Sequence, residues 1–128
     1  MIFADIEAKI NTKNGNEILL LKQEPKDRDY EKTVLIAGVI HGDEPDGEYL
    51  INRYLSNKTE TKNRLLFIPC LNPDGKAQNK RTNANNVDIN RNFLAKNWEL
   101  TEKGDFFGGE KPASEVETQF LIYIIERY

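Results

Sequence analysis

The sequence is poor in the residues that build the commonest chemical sites. Among 128 residues there is one histidine, one cysteine, one tryptophan and one methionine. A single cysteine excludes an internal disulfide framework and any cysteine-rich zinc module. A single histidine, His41, excludes any site that draws two or more histidines from this chain. Long apolar runs are missing too. The longest, Val34 to Ile40, is far short of the about 20 residues that a membrane-spanning helix needs, so no membrane association is expected. The first ten residues, MIFADIEAKI, place Asp5 and Glu7 where a secretion signal has a basic start and an apolar stretch. The expectation is a soluble cytoplasmic protein, and the free Cys70 fits a reducing compartment. Excess charge is also absent. Eighteen Lys and Arg stand against 21 Asp and Glu, a net −3, which gives no electrostatic case for nucleic acid despite the short basic stretch Lys76 to Arg81.

What is present is ordinary for a folded domain. Hydrophobic residues make up 38% and charged residues 30%, so disorder is not expected, and the length suits a single domain over residues 1–128. Residues 2–10 and 17–23 read as two strands around Lys13-Asn14-Gly15-Asn16, because Asn-Gly is a strong hairpin signal. Residues 33–40, TVLIAGVI, are short, apolar and β-branched, which predicts a strand buried on both faces. Pro45 opens a helix to about Ser56, with Tyr49, Leu50, Tyr54 and Leu55 on one broad face. Residues 64–70, RLLFIPC, predict a second core strand.

From Leu71 to Gly109 no period of either kind is visible, and eight of the fourteen asparagines fall between Asn72 and Asn97. So long an irregular stretch is usually functional or mobile. The last element is better signalled. Ser114 with Glu117 makes a capping box, and Val116, Phe120, Leu121 and Ile124 supply a helical stripe over residues 115–127. Strand, helix, strand, long loop and helix predict an α/β fold with a mixed, mostly parallel sheet flanked by helices. Ligands in such sheets sit beyond the carboxyl ends of the strands, where HGDE (41–44) and NPDG (72–75) fall.

His41 and Glu44 are spaced so that an imidazole nitrogen and a carboxylate converge on one cation from a tight turn, a mixed set that zinc accepts. The same residues also fit a solvated loop whose acids sit near a helix N-terminus. In the segment from Arg81 to Phe93, an extended backbone would split Asp88, Asn90 and Asn92 from Ile89, Arg91 and Phe93. Arg91 is suited to bidentate carboxylate recognition, Asn90 offers amide donors beside it, and Arg81 could stabilise charge on a substrate oxygen. By these residues alone, an Asn-rich loop held by Asx-turns, with two solvated arginines, is the better fit. Asn72-Pro73-Asp74-Gly75 is a turn sequence without catalytic logic of its own. Trp98, Phe106, Phe107, Gly108 and Gly109 either wall a pocket or pack a loop on the core.

The ordered set is more specific than its parts. An apolar strand leading into HGDE, then NPDG, then Arg81 ahead of NNVDINRNF, resembles the zinc carboxypeptidases. FLAKNW (93–98) and GGEKPASEVET (108–118) look like the branch that acts on murein peptides. The resemblance implies a zinc enzyme on an α/β fold that hydrolyses an amide bond beside a free carboxylate. It implies His41 and Glu44 as the first two zinc ligands and Asp88 as the carboxylate that orients the histidine. Arg81 would stabilise the oxyanion, and Asn90 and Arg91 would bind the substrate's terminal carboxylate. The branch implies a murein tripeptide substrate cut between D-glutamate and diaminopimelate.

The sequence also departs from the family pattern. The family's third ligand is a second histidine, and its general-base glutamate and closing tyrosine also lie beyond the matched region. The expectation is therefore the N-terminal part of a zinc-peptidase domain, inactive by itself, that dimerises or associates with a missing C-terminal part. Two other readings stay open: an aspartoacylase-type zinc deacylase of N-acyl amino acids, and a non-catalytic protein that keeps Asn90 and Arg91 for carboxylate binding without zinc.

Overall fold

The computed structural model describes residues 1–128. Asp5–Asn11 (β1) and Glu17–Gln23 (β2) form the expected antiparallel hairpin, with Asp5 opposite Lys22 and Asn11 opposite Glu17. Gly15 turns it at φ +82°, a conformation that costs glycine nothing, and Thr12 N donates to Asn16 O at 2.8 Å.

Thr33–Ala37 (β3), Asp46–Leu55 (α1) and Arg64–Ile68 (β4) form a strand–helix–strand unit with β3 and β4 parallel. The sheet order is β1-β2-β4-β3, and β2 pairs antiparallel with β4. The sheet is mixed, as expected, but its parallel part is the β3–β4 pair alone.

Alternation along the strands feeds two cores. On one face Ile18, Leu20, Leu66 and Ile68 pack with Phe120, Leu121 and Ile124 of the last helix, Val116–Arg127 (α3). On the other face Leu21 and Phe67 pack with Ile51 and Leu55 of α1. Tyr49 and Leu50 do not join them: the helix buries its Ile51–Leu55 stripe and leaves those two about two-thirds exposed.

The strand at 33–40 is shorter and less buried than its apolar run predicts. It ends at Ala37, and Val34 and Ile36 stay 39% and 40% exposed. The reason is position. β3 is an edge strand, its register sets Val34 and Ile36 beside Leu65 and Phe67 on the α1 face, and α1 covers β2 and β4 instead.

The capping box at Ser114 is a second correction. The α3 N-cap is Glu115, with no side-chain cap. Ser114 Oγ instead donates to the Glu115 carboxylate at 2.5 Å, and Glu117 accepts from Asn83 Nδ2 at 3.2 Å. A long-range buried amide has taken the groups that the local motif would use. Residues 71–109 hold only a short helix, Pro73–Ala77 (α2), and one 3₁₀ turn, Ile89–Arg91. No helix is long and apolar enough to cross a membrane.

Candidate functional site

The site begins where β3 stops. Gly38 N donates to Ile68 O at 2.8 Å, and Val39 then takes φ +54°, a left-handed conformation that is strained for a β-branched residue. A tight turn follows, with Glu44 N donating to His41 O at 3.1 Å. It brings the His41 ring and the Glu44 carboxylate together, Nδ1 to Oε2 at 2.8 Å. The other ring nitrogen, Nε2, lies 3.0 Å from Asp88 Oδ1. The imidazole is mostly buried, while Glu44 is exposed.

Asp88 is completely buried and gathers the rest of the site. Its Oδ2 accepts from Arg81 Nε and Nη2, both at 2.9 Å, and lies 3.4 Å from Arg91 Nε. Its Oδ1 also accepts from Asn90 N at 3.1 Å. Two guanidinium groups against one buried carboxylate leave net positive charge at the surface, since Arg91 is half-exposed. Both stack on Phe106, at 4.9 and 5.1 Å from the ring centre.

Within the segment without a visible period, Ile89–Arg91 forms a 3₁₀ turn. That turn puts Asp88 and Arg91 on one side, three residues apart, where an extended chain would have divided them. Asn90 reaches Asp88 through its backbone N–H, and its side chain faces outward beside Arg91. A cavity of about 330 Å³ opens there, walled by Asn90, Arg91, Phe93, Trp98, Phe106 and Gly108. Phe107, by contrast, is buried.

His41 and Glu44 present a nitrogen and an oxygen donor to one space, and Asp88 holds the opposite ring nitrogen in the carboxylate–histidine arrangement that metal-binding imidazoles use. That donor set fits zinc as far as it goes. It stops at two, because no group of three or more His, Cys, Asp or Glu side chains is placed to hold a metal.

Sequence reasoning missed the groups that hold these segments still. Asn72, Asn83 and Asn92 are all buried. Asn83 Oδ1 accepts from Asn85 N and Val87 N, both at 3.0 Å, and its Nδ2 donates to Glu115 at 2.8 Å as well as to Glu117. Asn92 Nδ2 donates to Gly108 O and Ser114 Oγ, at 2.8 and 2.9 Å. Burial pushes the Glu117 carboxyl above its ordinary value. Burial, with Glu48 adding to it, pushes the Cys70 thiol up to about 11. The only available signal was the density of asparagines, which marks turns as readily as buried pins.

A family model described as zinc carboxypeptidase matches residues 8–128. The chain is 38% identical over 109 residues to murein peptide amidase A of Escherichia coli (strain K12), covering 76% of this chain and 45% of that protein. The crystal structure of murein-tripeptide amidase from Escherichia coli O157 superposes with a TM-score of 0.73 at 29% identity, covering 99% of this chain and 62% of that one. Carboxypeptidase A from Helicoverpa armigera shares the fold, with a TM-score of 0.74 at 23% identity, over 95% of this chain and 38% of its own. The chain thus spans less than half the length of the curated relative it matches.

Proposed function

The chain belongs to the zinc carboxypeptidase family, and from that premise we propose that it contributes to the hydrolysis of an amide bond beside a free carboxylate in murein peptides, between D-glutamate and diaminopimelate. Its relatives are hydrolases of this kind, named murein peptide amidase and murein-tripeptide amidase. The observation that carries the reading is convergence: His41 and Arg81 meet on one buried carboxylate, Asp88, while Glu44 stands at the free face of the imidazole.

His41 Nδ1 and Glu44 would hold the metal. Bound zinc supplies Lewis acidity, polarising a carbonyl and easing the loss of a proton from water. Asp88 fixes which ring nitrogen of His41 is left for bonding and holds the ring's orientation. Arg81, anchored by two nitrogens on Asp88, keeps a guanidinium where negative charge develops on the carbonyl oxygen. Arg91 and the outward Asn90 side chain take the terminal carboxylate, so that the scissile bond lies toward His41. The third protein ligand and the general base are not among these residues.

The test is equilibrium zinc binding by the wild type and by His41→Ala. A weaker His41→Ala variant is expected, and equal affinity would overturn the ligand assignment. For the substrate, binding of diaminopimelate-containing tripeptide is set against binding of acyl-aspartate, read from the fluorescence of Trp98. Preferential binding of acyl-aspartate would replace murein peptide with a deacylase substrate.

A further inference from the structure

Within the site just described, and resting on that reading of it, we infer that Asn72 is a positioning residue that locks the His41 turn to the Arg81 loop through one buried amide.

The side chain is wholly buried and uses every hydrogen-bonding group it has on the two flanks of the site. Its Oδ1 accepts from Gly75 N at 2.9 Å, which caps α2. That single donor fixes the amide's orientation, so Nδ2 faces two carbonyls: Ile40 O and Arg81 O, each at 3.3 Å. Ile40 immediately precedes His41. On the other side of His41, Gly42 N donates to the same Arg81 carbonyl at 3.3 Å. His41 is therefore held from both neighbours, and both tethers run to Arg81, one directly and one through Asn72. The Asn72 backbone adds a third tie, its N–H donating to Val39 O at 2.9 Å.

The consequence lies in the side chains. His41 and Arg81 reach Asp88 from separate segments, at 3.0 and 2.9 Å. Their convergence depends on the spacing of the two backbones, and the Asn72 amide sets that spacing. Gly42 shows how tight the packing is. A Cβ there would drive into the backbone of Gly75, Lys76 and Lys80, so the turn sits directly on α2. Asn72 thus serves two roles that chemistry separates: an oxygen that caps a helix and an NH₂ that spans the site.

Asn72→Asp and Asn72→Ser test this, because Asp and Ser remain good helix N-caps but offer no NH₂. Folding is read from circular dichroism. The site is read in two ways: zinc affinity by competition with a chromophoric chelator, and the ¹⁵N shifts of the His41 ring, which is unambiguous because His41 is the sole histidine. A folded variant is expected to bind zinc about ten- to a hundredfold more weakly, the cost of disturbing a partner of a ligand, with displaced His41 ring signals. A folded variant with wild-type zinc affinity and wild-type ring signals overturns the proposal and leaves Asn72 a cap only. If neither variant folds, the wild-type Asn72 side-chain amide decides. Exchange slowed well below that of exposed asparagines supports the bridge, and exchange at the exposed rate overturns it. If the wild type itself fails to bind zinc, the metal assignment falls, and the His41 ring shifts alone decide for or against Asn72.

Discussion

Asp88 is the residue on which the site's electrostatics turn. Its carboxylate is fully buried and meets one imidazole and two guanidinium groups. Asp88→Asn preserves the shape but places an NH₂ against groups that are themselves donors. The expected cost is about 1–3 kcal/mol for the partners left unsatisfied, read as a lower urea midpoint, together with weaker zinc binding than the wild type shows. An unchanged midpoint would mean that Arg81 and Arg91 are satisfied by solvent. Cys70 makes a second prediction at this scale. With its thiol pushed up to about 11, only about a thousandth is thiolate at pH 8. Reaction with a disulfide reagent is expected to be far slower in the folded protein than in denaturant, and equal rates would refute the burial argument.

Among the elements, the start of α3 shows how a local motif yields to a distant partner. Glu117 is drawn into a buried network with Asn83 and Glu115, and its carboxyl is raised above the ordinary value by burial. The folded state then binds a proton more tightly than the unfolded chain does. Stability contributed this way is present below the unfolded value and lost as pH rises through the folded one. Glu117→Gln keeps an acceptor for Asn83 and removes the charge. Denaturant midpoints are expected to fall less between pH 5 and pH 8 in Glu117→Gln than in the wild type, and parallel pH profiles would sink this account. The same contrast explains what the sequence revealed. The hairpin was legible because Asn-Gly acts over four residues, and β2 was legible because its boundary residues are local. The α1 face and the Ser114 capping box were not, since the sheet decides the first and Asn83 the second. In the site, the His41–Glu44 turn was legible as a local spacing. The Asp88–His41 contact entered through the resemblance alone, the meeting of Arg81 and Arg91 on the same carboxylate was not foreseen because it depends on the folded loop, and the buried roles of Asn72, Asn83 and Asn92 were invisible because asparagine suits a turn and a buried pin alike.

At the scale of the molecule, two absences govern behaviour: a partner for β3 and further donors for the site. β3 is a sheet edge carrying exposed Val34 and Ile36, the pattern that invites strand pairing. Concentration-dependent association in sedimentation is expected, and Ile36→Lys is expected to reduce it; association unaffected by that substitution would place the contact elsewhere. The site sets the stronger constraint. On the proposed reading His41 and Glu44 are two protein donors, one of them an exposed carboxylate, and the chain has no second histidine to add. Two protein donors fall short of the three that catalytic zinc sites use, and no third His, Cys, Asp or Glu is placed beside them to hold a metal. On the proposed reading, Asn90, Arg91 and the cavity beside Trp98 take the substrate carboxylate without zinc, so binding is expected to persist where hydrolysis does not. The expected result is a purified 128-residue chain that binds a murein tripeptide, read as a change in the fluorescence of its single tryptophan, Trp98, yet releases no product when zinc is supplied. Full zinc-dependent turnover by this chain alone would show that its own residues complete the site, and would overturn the two-donor account.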